Sequence, residues 1–158
     1  MVIAAIGDTG YNVMLVVHVL ALIVAFAPAF VWPFVSRKLR TTGGADVSSA
    51  LAKATAGMTT KIYGPALAIG GLVGFGLAGM SGKDANDELI YSVSDPWLSA
   101  AALIWFLLLG LFFGLLGPAE KRAAAGEESA AKIVRMSSGI IHLGVVVALY
   151  LMVFKPGA

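Results

Sequence analysis

The chain has 158 residues, 59% of them hydrophobic and 13% charged, with a mean hydropathy of +0.89. A soluble domain of this size carries about twice that charged fraction, and a formal charge of +2 is too small to point to nucleic acid. The absence of cysteine excludes disulfides, thiolate-ligated iron–sulfur clusters, cysteine nucleophiles and covalently attached c-type haem.

The apolar residues fall into four runs, roughly residues 11–35, 62–80, 97–116 and 136–154. Each is long enough to cross a ~30 Å hydrocarbon layer at ~1.5 Å per residue. They predict an all-α fold, an integral membrane four-helix bundle in which residues 1–158 form a single domain in contact with the lipid bilayer. Nearly every residue is used by the bundle, which leaves no room here for a separate soluble catalytic domain. The segment before the first run has no basic n-region, and the run itself is too long for a cleaved signal peptide. It reads as a retained span.

The connection after the first span holds Arg37, Lys38, Arg40, Lys53 and Lys61, and the one after the third holds Lys121, Arg122, Lys132 and Arg135. Together these are nine of the eleven basic residues. The middle connection is acidic, with Asp84, Asp87, Glu88 and Asp95 against a single Lys83. The positive-inside rule then puts both basic loops in the cytoplasm and both termini outside a plasma (inner) membrane. In the first loop, Thr41-Thr42-Gly43-Gly44 predicts a turn and Asp46 a helix cap. Val47, Leu51, Ala54 and Met58 follow at helical spacing, a short amphipathic helix. Residues 120–135, rich in alanine and mixed charge, predict a solvated helical turn.

Pro96-Trp97 suits the outer start of the third span, and Trp32-Pro33 the inner end of the first. Pro65 predicts a kink in the second span, with Thr59 and Thr60 placed to re-satisfy freed backbone groups. That span also carries a ridge of small residues at i+4 intervals: Ala66, Gly70, Gly74, Ala78 and Gly82. A shorter ridge, Ala21, Ala25 and Ala29, lies on the first. Small ridges let membrane helices approach closely; a flat cofactor lying on a helix needs the same missing side chains. Ala21, Ala25, Gly70 and Gly74 are therefore candidate cofactor-contacting residues as well as packing residues.

His18 and His142 are the imidazoles well inside the runs. A histidine within the bilayer is costly and is a functional-site candidate by default. Neutral imidazole also ligates haem iron, copper and zinc. By residue counts, His18 lies ~10 Å and His142 ~20 Å below the outer boundary, an awkward match for two ligands of one upright haem. The alternative for each ring is a hydrogen bond to a neighbouring helix, with Ser137 and Ser138 as local partners for His142. Met14, Met80 and Met152 lie near the outer boundary on three spans, and thioether sulfur with imidazole suits Cu(I). His18, His142, Met14 and Met80 are thus the candidate metal ligands, with simple packing as the alternative for the methionines. No Asp, Glu or Lys falls inside a run, which disfavours ion-coupled transport.

The stretch His18-Val19-Leu20-Ala21-Leu22-Ile23-Val24, in a first span closed by Arg37, resembles the opening of the CopD-like superfamily of membrane proteins. Lys61-Ile62-Tyr63-Gly64-Pro65, Trp97-Leu98 and Val153-Phe154-Lys155 extend the likeness through most of the layout, at few positions of identity. The superfamily includes copper-resistance D proteins, HemJ-type protoporphyrinogen oxidases and uncharacterised membrane relatives. The resemblance implies haem b, or copper, at the first-span histidine, here His18. HemJ-type enzymes carry an important lysine about a turn after the third-span tryptophan. Ser99-Ala100-Ala101-Ala102 has none, which argues against protoporphyrinogen oxidation. His142 takes no part in the resemblance. The expectation is a haem b protein of electron transfer or redox sensing, alone or with a membrane redox partner or further copies of itself. A cofactor-free assembly subunit and a copper-handling protein are the alternatives.

Overall fold

A computed structural model describes residues 6–157 apart from Gly43 and Asn86; the side chains of residues 40, 44–46 and 48 also lie outside the described set, and with them the Asp46 cap. The architecture is all-helical, with four rods long and apolar enough to cross a membrane: Thr9–Leu39, Ser49–Gly79, Pro96–Ala124 and Glu128–Phe154. Among the described residues there is no strand, only an isolated bridge between Lys83 and Leu89.

The first rod is α1 (Thr9–Thr42). It takes in the first two residues of the predicted turn, because the hydroxyls of Thr41 and Thr42 bond back to the Lys38 carbonyl at 2.8 and 2.9 Å. Gly43 itself lies outside the described residues. The short α2 (Gly44–Thr55) follows and leads through a π-helical segment, Thr59–Tyr63, into α3 (Gly64–Gly79). The third rod has the same plan: α4 (Pro96–Gly110), a π-helical segment Leu111–Leu116, and α5 (Gly117–Ala124). A turn at Gly126, φ +95°, reverses the chain into α6 (Glu128–Phe154). The expected solvated turn-helix over residues 120–135 is this turn with its exposed flanks, which continue the third and fourth rods.

Both π segments end at a Gly-Pro pair, Gly64-Pro65 and Gly117-Pro118. Proline lacks an N–H and its ring crowds the carbonyl four residues back, so a wider i→i+5 turn just ahead of it relieves the clash. The N–H groups of Gly64 and Gly117 accordingly donate to the carbonyls of Thr59 and Phe112. The two segments also pack on one another. A Cβ at Gly64 would stand 2.5 Å from Phe113 Cζ, and one at Gly117 2.4 Å from Thr60 Cγ2.

α1 packs chiefly on α3, and α4 and α5 pack on α6. The central core joins Ala25, Leu67, Leu108, Phe112, Leu116, Ile141 and Val145. A second core, at the end of the bundle that carries both termini, joins Ala78, Trp97, Leu98, Ala101 and Leu151. Leu103, Leu107, Leu143 and Val153 stay exposed on the outside of the bundle, the side chains expected against lipid. Trp105 wedges α4 onto α3: its indole donates to the Leu67 carbonyl at 2.8 Å, and its ring fills the notch of Gly71. A Cβ at Gly71 would lie 2.1 Å from Trp105 Cε2, whereas one at Gly79 meets nothing within 4 Å. Gly71→Ala should therefore destabilise the bundle by about 1–3 kcal/mol through overpacking. Gly79→Ala should be neutral or slightly stabilising, with thermal unfolding in mild detergent as the readout.

Candidate functional site

His18 is held by α3. A Cβ on Gly74 would stand 3.0 Å from His18 Cε1, so the ring occupies the space that a side chain there would fill. One turn earlier on α3, the Gly70 carbonyl lies 2.7 Å from His18 Nδ1. A carbonyl only accepts, so Nδ1 donates and Nε2 is the bare nitrogen of the neutral ring. Nε2 makes no hydrogen bond among the described residues and keeps accessible surface.

The ring borders a cavity of about 600 Å³ bounded by α1, α3, α4 and α6. Leu15, Leu22, Phe26, Leu77 and Val145 make its walls largely apolar. Its polar lining is sparse: His18 deep inside, and Tyr11, Tyr91, Trp97 and Lys155 towards the end of the bundle that carries both termini. Tyr91 is anchored by its backbone N–H, which donates to the fully buried Ser81 hydroxyl at 2.9 Å.

Of the small residues singled out in the sequence, Gly74 and Ala78 line the cavity. Gly70 is filled by α1: a Cβ there would lie 2.7 Å from Leu22 Cδ2 and 3.6 Å from the Ala21 Cβ. Ala25 is buried in the central core. Ala21, Ala25 and Gly70 thus form the close contact between α1 and α3 that brings His18 to the Gly70 carbonyl. Met14, one turn before His18, rests against Gly76, whose added Cβ would lie 3.6 Å from Met14 Cε. Met80 ends α3, while Met152 lines the cavity. Among the described residues no three of His, Asp and Glu gather as a metal-binding group.

His142 borders a different cavity, of about 620 Å³, at the loop end of the bundle. Trp32, Tyr63, Glu120, Arg135 and Ser138 share it. Phe30 stands between the two sites: it lines the His18 cavity, and its ring meets the His142 imidazole edge-on at 4.4 Å and 85°. Ser138 does not serve His142; its hydroxyl donates to the Ala29 carbonyl at 3.4 Å.

Glu120 is the residue that sequence reasoning missed. It lies within the third rod, and its carboxylate accepts from both the Thr59 hydroxyl and the Thr59 N–H, the latter at 3.3 Å. Thr59 is buried and starts the π segment, so its hydroxyl serves this carboxylate while Thr60 bonds the Gly57 carbonyl at 3.0 Å. The signal was present: Leu108, Phe112 and Leu116 are buried at i+4 intervals, and Glu120 is the next step. No family model, curated protein sequence or solved structure matches the chain.

Removing one partner of a buried, charge-assisted hydrogen bond costs more than the bond's net worth. Thr59→Val should lower stability by about 1.5–3 kcal/mol, seen as a lower midpoint of thermal unfolding in detergent. Thr59→Ser, which keeps the hydroxyl, should recover most of the loss.

Proposed function

We propose that the chain is a four-span plasma-membrane protein that binds haem b non-covalently through His18. It serves electron transfer or redox sensing, alone or as a subunit of a larger redox complex. One observation carries this reading: an intramembrane imidazole with Nδ1 on the Gly70 carbonyl and Nε2 unpartnered, beside a cavity of about 600 Å³. Metal-ligating histidines almost always donate their other ring N–H to a carbonyl or carboxylate, which fixes the tautomer and raises the basicity of the ligating nitrogen.

The residues suit the group in two further ways. Apolar walls keep water from the ring, and Gly74 and Ala27 contribute no bulk to the lining. Iron held by His18 would supply one-electron chemistry, with its potential set by the histidine nitrogen and the low polarity of the walls. His18 and Gly70 set that nitrogen's orientation; the walls set its surroundings. The likeness to the CopD-like superfamily supports the same ligand, and the missing third-span lysine keeps protoporphyrinogen oxidation out of the proposal. In this reading the basic loops face the cytoplasm and the His18 cavity lies in the outer half of the bilayer.

The Nδ1 bond by itself also ties α1 to α3, which favours a cofactor-free assembly subunit as the second reading. Copper at His18 and Met14 draws support from their i,i+4 placement on the face of α1 that meets α3. Absorption spectra discriminate. Protein purified in mild detergent after expression with ample haem should show a Soret band and a reduced-minus-oxidised difference. His18→Ala should abolish both, and His142→Ala should keep them. A colourless protein, or a spectrum indifferent to His18→Ala, overturns the haem reading; stoichiometric copper lost in Met14→Leu would replace it.

Orientation has its own test, made clean by the absence of native cysteine. Ser94→Cys should react with an impermeant maleimide in intact cells, and Ala125→Cys only after lysis.

A further inference from the structure

The mouth of the His18 cavity carries a cation with no counter-ion among the described residues. Lys155 follows the last turn of α6 in a left-handed conformation, φ 43°, with its N–H on the Leu151 carbonyl at 3.0 Å. Glycine is the usual residue for such a position, so a lysine is held there against its backbone preference. Its ammonium donates to the Tyr91 hydroxyl at 2.5 Å and sits 4.1 Å from the Tyr91 ring centroid and 5.9 Å from that of Trp97. Among the described residues it forms no ion pair.

The surroundings of this ammonium are also prepared. Trp97 is 4% exposed, yet its indole N–H has no acceptor among the described residues. Its ring meets Tyr91 edge-on at 5.5 Å. Tyr11 lines the same cavity from α1, seven residues and therefore ~10 Å along the helix from His18. Donors thus cluster at one end of an apolar cavity, and a ligating imidazole lies ~10 Å deeper. The acidic groups of this end lie in the 81–95 hairpin and at Asp8. Of these, Asp95 accepts the Ser92 N–H at 2.9 Å and Asp87 pairs with Lys83 at 2.9 Å.

We propose that Lys155, with the Tyr11 and Tyr91 hydroxyls, is the carboxylate-binding mouth of this cavity. It takes the carboxylates of a porphyrin, whose apolar ring passes Trp97 and reaches down towards His18. An ammonium and phenols in a low-dielectric mouth bind carboxylate oxygens by charge-assisted hydrogen bonds. Apolar walls accept a large ring, and an amphiphile with acid groups at one edge matches both halves. This inference rests on the haem reading for its ligand but concerns a different end of the cavity and different atoms.

The test compares ligands that differ only in the carboxylates. Purified full-length protein in mild detergent is titrated with metal-free protoporphyrin IX and with its dimethyl ester, following fluorescence; haem is titrated in parallel. Wild type should prefer the free acid by about tenfold or more. Lys155→Gln should erase the preference, Tyr91→Phe should reduce it, and Lys155→Arg should retain it, which separates lost charge from lost folding. His18→Ala should weaken haem yet leave the acid-over-ester preference of the metal-free porphyrin.

Equal affinity of wild type for acid and ester overturns the mouth assignment, as does a preference that survives Lys155→Gln. Displacement of porphyrin by equimolar palmitate overturns the choice of porphyrin. Haem binding that ignores His18→Ala while the acid preference holds defeats the axial-ligand reading and leaves the mouth standing.

Discussion

One hydrogen bond ties the first rod of this bundle to the second: His18 Nδ1 to the Gly70 carbonyl, at 2.7 Å. The bond exists because α1 and α3 approach closely, and they do so because Gly70 seats Leu22 and Gly74 seats the imidazole itself. Within hydrocarbon there is no hydrophobic force to drive helices together, so this shape match and the polar tie across it hold the pair. A methyl on Gly74 would displace the ring and so disturb the bond. The same contact fixes which ring nitrogen is spoken for, and with it the one left without a partner among the described residues.

The rule behind that bond recurs through the molecule. In a water-free layer every side-chain donor must find an acceptor, and the backbone carbonyls have spare lone pairs. Trp105 uses the Leu67 carbonyl and Ser138 the Ala29 carbonyl, each from another helix. Glu120 reverses the direction, bringing an acceptor to the N–H and hydroxyl of Thr59 where the π segment begins. Buried exceptions are few among the described residues: Trp97 Nε1 and Ser137 Oγ.

The spans were legible from the sequence because a run of ~20 apolar residues has one physical meaning. Pro96 and Trp97 at the start of α4 were legible for the same kind of reason, a fixed φ and an interfacial ring. The ends of the rods were not. Hydropathy stops where charge begins, but helix does not, and α1 continues past Arg37 and Lys38 to Thr42. Glu120 was hidden by its neighbours: Glu120, Lys121 and Arg122 look solvated as a string, and only the i+4 step from Leu116 separates the first from the others. The second Gly-Pro pair escaped notice for a related reason, since Pro118 follows the apolar run instead of interrupting it. The cavities could not be read at all, because they depend on which side chains leave space and not on which residues are apolar.

The separation of His18 from His142 follows from a single intervening residue. Phe30 lies twelve residues past His18 on α1, ~18 Å further along and about a third of a turn round the helix. There it closes the His18 cavity and meets the His142 imidazole on its other side. The two histidines therefore have unlike surroundings. His18 lies among Leu, Phe and Val with its polar neighbours at the far mouth, while His142 shares its space with Glu120, Arg135 and Tyr63. The first cavity thus sets an imidazole against apolar walls, whereas the second sets one beside a carboxyl group and a guanidinium. Depth, the tie to Gly70 and the surrounding walls all set His18 apart from His142.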